Sequence, residues 1–366
     1  MAAFEAAKIC RMSRTSLYSS QRAHAIAAAL CLAAMATCVI AAPADCTTSA
    51  APECYRTFEP PQAGGALHYY ASLAPDAAPS ATGPTQALIA MHGHPRDANK
   101  TFNAALLAVR KAGALDRTLV VAPLFQVAAD KAGKCSTSGV PAPQDGDLLW
   151  TCGSWLEGGR ASNGSGISSF AAMDAVVAEL VRRWPSLRTV TVAGFSAGAQ
   201  MVQHYIGFAA DAPAASVSLR YVVSDPGTWL YFDAFRPQQA IGSDGGTCPT
   251  VNRWKYGTEG LPAHLGRSAG EARQRYAAAD IHYLQGELDT GEGKGTAYKV
   301  LDKSCAAAAQ GPYRLQRGLA YAQYDRTMLA PDKRREVTVV PGCAHDVACV
   351  FPSEAARSAL VGAPRK

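Results

Sequence analysis

The stretch "VTVAGFSAGAQ", Val190 to Gln200, decides how the rest of the chain is read. A β-rich run leads into Gly194-Phe195-Ser196-Ala197-Gly198, and the residues that follow contain few helix breakers. A strand that passes into a helix through one serine needs a sharp turn there. Such a turn strains the serine backbone and puts its Oγ on the tip, and the flanking glycines let strand and helix approach closely. The start of the helix also favours negative charge beside the hydroxyl. A glycine-rich turn without chemistry would use the same letters; a strand before and a helix after mark Ser196 as a candidate nucleophile.

Working outward, short β-branched or apolar runs recur at 87–91 ("ALIAM"), 118–122 ("TLVVA"), 189–193 ("TVTVA"), 219–223 ("LRYVV"), 281–284 ("IHYL") and 336–340 ("EVTVV"). Continuous runs of this kind fit strands buried on both faces, as in a parallel sheet. The run "ALHYYASL", 66–73, reads as an earlier antiparallel edge strand. Phe170, Met173, Val177, Leu180 and Val181 recur at helical spacing until Trp184-Pro185. Further helices are expected at 99–109, after Ser196 and at 353–360. Strands alternating with helices predict an α/β class with a mostly parallel central sheet flanked by helices. Two long segments break the alternation, at about 123–166 and 225–280. Connections of that length inside a compact domain are usually functional, and both are expected to roof the site.

A nucleophilic serine needs a base and an acid. His345, in "VVPGCAHDVACVF", lies just past the last expected strand, where the order serine, acid, histidine requires the base. Its neutral imidazole could take the Ser196 proton and return it to a leaving group. Asp289, in "YLQGELDT", follows the preceding strand and is the first candidate for the acid. Asp225, in "VVSDPGTW", and Glu287 are the alternatives. Two N–H donors should face a developing oxyanion: that of Ala197, and one from "HGHPRDA", where His94 stands ahead of Gly93 because Pro95 has no N–H. Trp150, Trp155, Trp229 and Tyr231 are candidates for a substrate pocket, or else bury themselves against the sheet. His92 and His94 alone make a weak metal site with no third ligand in view, and no cofactor is expected.

The chain has 366 residues, 48% of them hydrophobic and 17% charged, which suits one large domain with insertions. Lys8, Arg11, Arg14 and Arg22 precede an apolar run, 25–42, that ends in Ala42-Pro43-Ala44. This reads as a secretory signal peptide over residues 1–44, with Met12 as an alternative start. Residues 45–366 then form a single domain with no stable membrane span, either secreted or periplasmic. The leader carries four of the 35 basic residues and one of the 29 acids, so the remainder has a net charge of +3. That is too mild for a nucleic-acid surface, and no basic stripe interleaved with aromatics appears. Eight cysteines lie beyond the leader, an even number in an exported chain. The expected pairing is Cys46–Cys54, Cys135–Cys152, Cys248–Cys305 and Cys343–Cys349, which staples the insertions and closes a small ring around His345.

The stretches "MHGHPRDANKTF", "TVTVAGFSAGAQMVQHY", "RYVVSDPGTWLYFDAFRP", "VNRWKYG", "YLQGELDT", "SCAAAAQGPYRLQRG" and "VVPGCAHDVACVF" carry a resemblance. The chain resembles the α/β-hydrolase superfamily, and more closely secreted bacterial and fungal esterase-like serine hydrolases. The resemblance implies an α/β-hydrolase fold, a triad on Ser196, Asp289 and His345, and a small-molecule or polymeric ester as substrate. The pattern departs at Phe195 and Ala199, where relatives read G-H-S-A-G-G-Q, and at Ser224-Asp225-Pro226, where they read N-P. The expected chemistry is carboxylic ester cleavage through an acyl-enzyme. An amidase or peptidase using the same triad, and a non-catalytic binding protein of the same fold, are the alternatives.

Overall fold

Alternation along each strand divides the apolar residues between two faces of one sheet. Ala87, Ile89 and Met91 point into one core and Leu88 and Ala90 into the other; Val190 and Val192 oppose Ala193 and Phe195 in the same way. This computed structural model describes residues 46–73, 83–242 and 245–362, and the expected leader lies outside them. The strands are β1 (Tyr55–Phe58), β2 (Leu67–Ala71), β3 (Gln86–Met91), β4 (Thr118–Leu124), β5 (Gln126–Val127), β6 (Leu149–Trp150), β7 (Thr189–Phe195), β8 (Ser218–Ser224), β9 (Asp280–Gly286) and β10 (Val337–Val340). One eight-stranded sheet has the order β1-β2-β4-β3-β7-β8-β9-β10. From β4 to β10 every pairing is parallel; β2 is antiparallel to both β1 and β4. The edge is therefore β1, not the 66–73 run. Tyr55–Phe58 is too short to stand out as a strand, yet it covers β2 through a four-residue ladder.

Helices α1 (Ala98–Lys111), α2 (Ser169–Arg183), α3 (Ala197–Phe208), α4 (Ala269–Ala278), α5 (Cys305–Ala308), α6 (Arg314–Tyr324), α7 (Val347–Val350) and α8 (Arg357–Val361) complete the fold. Residues of α2, α3, α4 and α6 belong to one core, and residues of α1, α7 and α8 to the other. Helix α3 is buried along almost its whole length, from Gly198 to Phe208. The sequence pattern misses α4 and α6. Helix α4 is short and polar, buries only Ala272 and Tyr276, and announces itself mainly through the capping box of Ser268 and Glu271. The last helix starts at Arg357, later than expected, because Ser353 Oγ accepts the Ala356 N–H and holds a turn there.

The two long excursions are tied rather than loose. The first contains the two-stranded β5–β6 ladder and the Cys135–Cys152 disulfide. The second contains α4 and is joined to α5 by Cys248–Cys305. An ion pair of 2.8 Å between Lys255 and Glu157 links one excursion to the other. Cys46–Cys54 secures the segment before β1, and Cys343–Cys349 closes the loop after β10.

Two glycines set how closely β7 and α3 meet. A Cβ on Gly194 would overlap the Gly198 carbonyl, and a Cβ on Gly198 would overlap the carbonyls of Met91 and His92. These obstacles are backbone, which cannot rotate aside as a flexible side chain could. Gly198→Ala is therefore expected to cost about 1–3 kcal/mol of stability, read as a lowered urea midpoint; an unchanged midpoint would show that this contact is not tight.

Candidate active site

Parallel strands all end on the same side of a sheet, so the loops after β3, β7, β8, β9 and β10 converge. Ser196 follows β7 with φ 58° and ψ −122°, a conformation that costs a non-glycine residue about 1–3 kcal/mol. The tight turn holds because its neighbours over-determine it: Ser196 N donates to Ser224 O at 3.0 Å, and the first turn of α3 closes from Gln200 N to Ser196 O. The hydroxyl is thereby presented above the strand ends.

His345 comes from the loop after β10. Its imidazole bridges two groups: Nε2 lies 2.8 Å from Ser196 Oγ and Nδ1 lies 2.7 Å from Asp289 Oδ2. A carboxylate can only accept, so Nδ1 carries the ring proton and Nε2 accepts from the serine hydroxyl. The loop is held by the Cys343–Cys349 bridge, by His345 N donating to Gly295 O at 3.0 Å, and by the Phe195 ring at 4.8 Å from the imidazole. Asp289 follows β9, where the Leu315 N–H binds its backbone carbonyl and the Arg314 guanidinium lies 3.6 Å from Oδ1. Burial, and then the positive charge of Arg314, hold the His345 pKa well below the ordinary histidine value. The imidazole is thus neutral and able to take a proton. Burial raises Asp289 to about 6, opposed by Arg314.

The two other acids lie differently. Glu287 turns to the surface and accepts the Gly342 N–H at 2.8 Å, away from His345. Asp225 is fully buried at the end of β8, where it accepts the Gly286 N–H and the Ser224 hydroxyl rather than bonding the imidazole. On the oxyanion side, the Gly93 N–H is already taken by Asp97 Oδ1 at 3.2 Å. The Ala197 and His94 N–H groups have no acceptor among the described residues. Both His92 ring nitrogens are bound, Nδ1–H donating to Gly93 O and Nε2 accepting from Phe125 N, so this side chain orders the loop instead of facing a ligand. Arg96 performs a related task, reaching from the same loop to Cys135 O and Gln126 Oε1. Among the described residues no group of three or more His, Cys, Asp or Glu side chains is placed to hold a metal.

A cavity of about 500 Å³ opens beside Ser196 and His345. Its walls come from the loop before α1 (Gly93, Asp97), from α1 itself (Lys100, Ala104, Leu107) and from Val347 of α7. This corrects two expectations. Neither long excursion lines the cavity, and neither do Trp150, Trp155, Trp229 and Tyr231, which are all core residues. Trp229 stacks on Tyr321 at 4.3 Å, Tyr231 packs on Tyr324 at 4.8 Å, and Trp150 meets Phe125 edge-on at 4.8 Å. Apolar ring area is worth more buried against other rings than exposed at a solvent-filled mouth. Sequence reasoning also missed Arg314, Arg96 and Asp97. Asp97 had a local signal, an acid just before α1; the two arginines had none, because each finds its partners only through the fold.

Protein-family models and curated proteins return no match to this chain. Solved structures do. Poly(aspartic acid) hydrolase-1 from Sphingomonas sp. KT-1 is 18% identical with a TM-score of 0.57, covering 84% of this chain and 97% of that one. LpqC, a poly(3-hydroxybutyrate) depolymerase from Bordetella parapertussis, is 18% identical with a TM-score of 0.55, covering 82% of this chain and 86% of that one. With the parallel sheet and its flanking helices, this likeness establishes the α/β-hydrolase fold.

The electrostatics make a direct prediction. A histidine pKa lowered by burial means that the neutral form persists as pH falls. The His345 ring should remain neutral at pH values below its ordinary midpoint of 6.5, as read from its NMR ring signals. Protonation at 6.5 or above would overturn the picture of a desolvated imidazole.

Proposed function

We propose that this chain is an exported serine hydrolase that cleaves carboxylic esters through an acyl-enzyme. The observation that carries the reading is the continuous chain from Ser196 Oγ to His345 Nε2 (2.8 Å) and from His345 Nδ1 to Asp289 Oδ2 (2.7 Å). Ser196 Oγ attacks the substrate carbonyl as its proton passes to His345 Nε2. Asp289 holds the ring in the tautomer that leaves Nε2 free and stabilises the imidazolium that forms. The carbonyl oxygen, now negative, takes hydrogen bonds from the Ala197 and His94 N–H groups. Collapse of the tetrahedral adduct expels the alkoxide, which receives the proton from His345. Water, activated by the same imidazole, then releases the acid and restores Ser196.

The groups required for the second half-reaction are the same, so the chain's own residues complete the cycle. The cavity beside Ser196 has room for a modest acyl or alcohol portion and opens to solvent, which leaves space for a longer polymer to extend beyond it. Amide hydrolysis by the same triad is the second reading, since the structural neighbours include a poly(aspartic acid) hydrolase as well as a poly(3-hydroxybutyrate) depolymerase. The four disulfides support export to an oxidising compartment.

Ser196→Ala is expected to lower kcat by about 10⁶-fold and to abolish labelling by a fluorophosphonate. Retained hydrolysis and labelling would reject the nucleophile. Asp289→Asn should cost about 10⁴-fold in kcat through the wrong imidazole tautomer, while Glu287→Gln should change little because its carboxylate serves only Gly342. The reverse ranking would reassign the acid. Matched ester and amide substrates on the oxidised protein separate the two readings by their ratio of kcat/KM.

A further inference from the structure

The cavity beside Ser196 is a groove between α1 and α7. Lys100, Asn103, Ala104 and Leu107 line it from α1, at spacings that put them on one face of that helix. From Lys100 to Leu107 the helix rises about 10 Å, room for roughly eight extended chain atoms. The apolar lining comes from Ala104 and Leu107, from Val347 and Ala348 on α7, and from Phe195 at the end of β7. Thr101 and Asn103 are its neutral polar members. Asn103 is held in place: its Oδ1 accepts the Ala50 N–H at 2.7 Å, which leaves Nδ2 a donor with no acceptor among the described residues. Charges of both signs also belong to the lining. Lys100 is the cation; Asp97 stands just before α1 and Asp346 just before α7. Both acids are fixed by backbone, Asp97 Oδ1 accepting the Gly93 N–H at 3.2 Å and Asp346 Oδ1 the Ala348 N–H at 2.9 Å. A substrate charge of either sign would therefore meet a like charge in the groove, and would leave water for an apolar wall.

We propose that this groove selects esters whose alcohol arm is an uncharged chain carrying a carbonyl, with the carbons of the arm against Ala104, Leu107 and Val347 and its carbonyl oxygen on Asn103 Nδ2. This rests on the triad reading above. The arm is the alcohol rather than the acyl portion because of where the groove begins. The leaving oxygen has to lie within reach of His345 Nε2 to receive its proton, and the wall runs on from His345 through Asp346, Val347 and Ala348. Apolar contact favours length and excludes charge, while the Asn103 amide favours an acceptor at one point along the arm. A chain in which methylene or methyl groups alternate with ester carbonyls satisfies both, so an uncharged polyester fits this wall better than a polyanion. Leu107 and Asn103 are thus specificity-determining residues: they touch the arm of the substrate and not the reacting atoms.

The test measures kcat/KM on acetate esters that differ only in the alcohol arm, for the wild type, Leu107→Trp, Ala348→Trp and Asn103→Leu, with Ser196→Ala as the reference and all disulfides intact. From ethyl to hexyl acetate the wild-type value should rise by about two- to fourfold per methylene, chiefly through KM. Leu107→Trp, which fills the groove, should flatten that rise; Ala348→Trp does the same from the opposite wall and decides the point if Leu107→Trp fails to fold. 5-Acetoxypentan-2-one and 4-methylpentyl acetate have arms of the same shape, one with a carbonyl and one without. Their ratio of kcat/KM should fall about fivefold in Asn103→Leu, as expected for one lost hydrogen bond; a purely structural loss would lower both esters together and leave the ratio unchanged. 4-Acetoxybutanoate and 3-(trimethylammonio)propyl acetate, the anionic and cationic counterparts, should each be about tenfold or more poorer than the ketone ester. A flat alkyl series in the wild type, a gain confined to methyl alkanoates, an unchanged ratio in Asn103→Leu, or a preference for either charged ester overturns the proposal. Any of these results beside an inactive Ser196→Ala rejects only the groove, whereas an active Ser196→Ala rejects the triad beneath it.

Discussion

The backbone turn at Ser196 is the constraint on which the site depends. A non-glycine residue at φ 58° and ψ −122° does not hold itself there; it is held by β7 on one side and α3 on the other. The backbone of residue 198 comes close enough to exclude a Cβ at 194, and the carbonyls of Met91 and His92 at the end of β3 exclude one at 198. Strain at the serine is thus offset by packing throughout the most buried helix of the fold. One consequence is that the hydroxyl, the Ala197 N–H and the loop after β3 share one rigid frame. The position of the Ser196 backbone is therefore set by backbone contacts, while its hydroxyl and the His345 ring are aligned by side-chain hydrogen bonds.

Around that frame, burial does the electrostatic tuning. The imidazole is neutral because it is dry and because Arg314 lies nearby, while Asp289 keeps its charge through that same guanidinium and the Nδ1–H. Arg314 is itself anchored to the Thr296 carbonyl at 2.7 Å, so its charge stays where it is placed. The loop carrying His345 would otherwise be a free surface segment, since only a few of its residues are buried. A disulfide between residues six apart and a backbone bond to Gly295 remove that freedom. The aromatic residues of the long excursions serve stability instead: Trp229 and Tyr231 join a cluster of rings with Tyr276, Tyr283 and Tyr321, while Trp150 and Trp155 pack on Phe125.

Several features of this arrangement were legible one residue at a time. Ser196 was legible because strand, glycine, serine, glycine and helix appear in unbroken order, and each letter has a local backbone reason. The strands from 87 to 340 were legible because burial on both faces writes itself as continuous apolar runs. His345 was legible from chain order, since only one histidine follows the last strand. The failures share a cause as well. Trp229 and Tyr231 look like pocket residues because their segment is irregular, yet irregular backbone can still bury a ring. Helix α4 was missed because a polar helix needs only two buried residues when its partner, α3, is already covered elsewhere.

By itself, then, the amino-acid order determined the α/β class, the parallel character of the sheet, the serine turn and the set of residues from which a triad could be drawn. These rest on short-range rules: strand and helix periodicity, glycine conformations and the spacing of polar residues at strand ends. Only the tertiary structure decided which acid meets His345, that Arg314 stands beside that acid, and that the cavity is walled by α1 and α7. Those facts depend on how far loops from separate strands reach across the sheet edge. No local pattern encodes that distance; it follows from the register of β7, β8, β9 and β10 and from the water excluded between them.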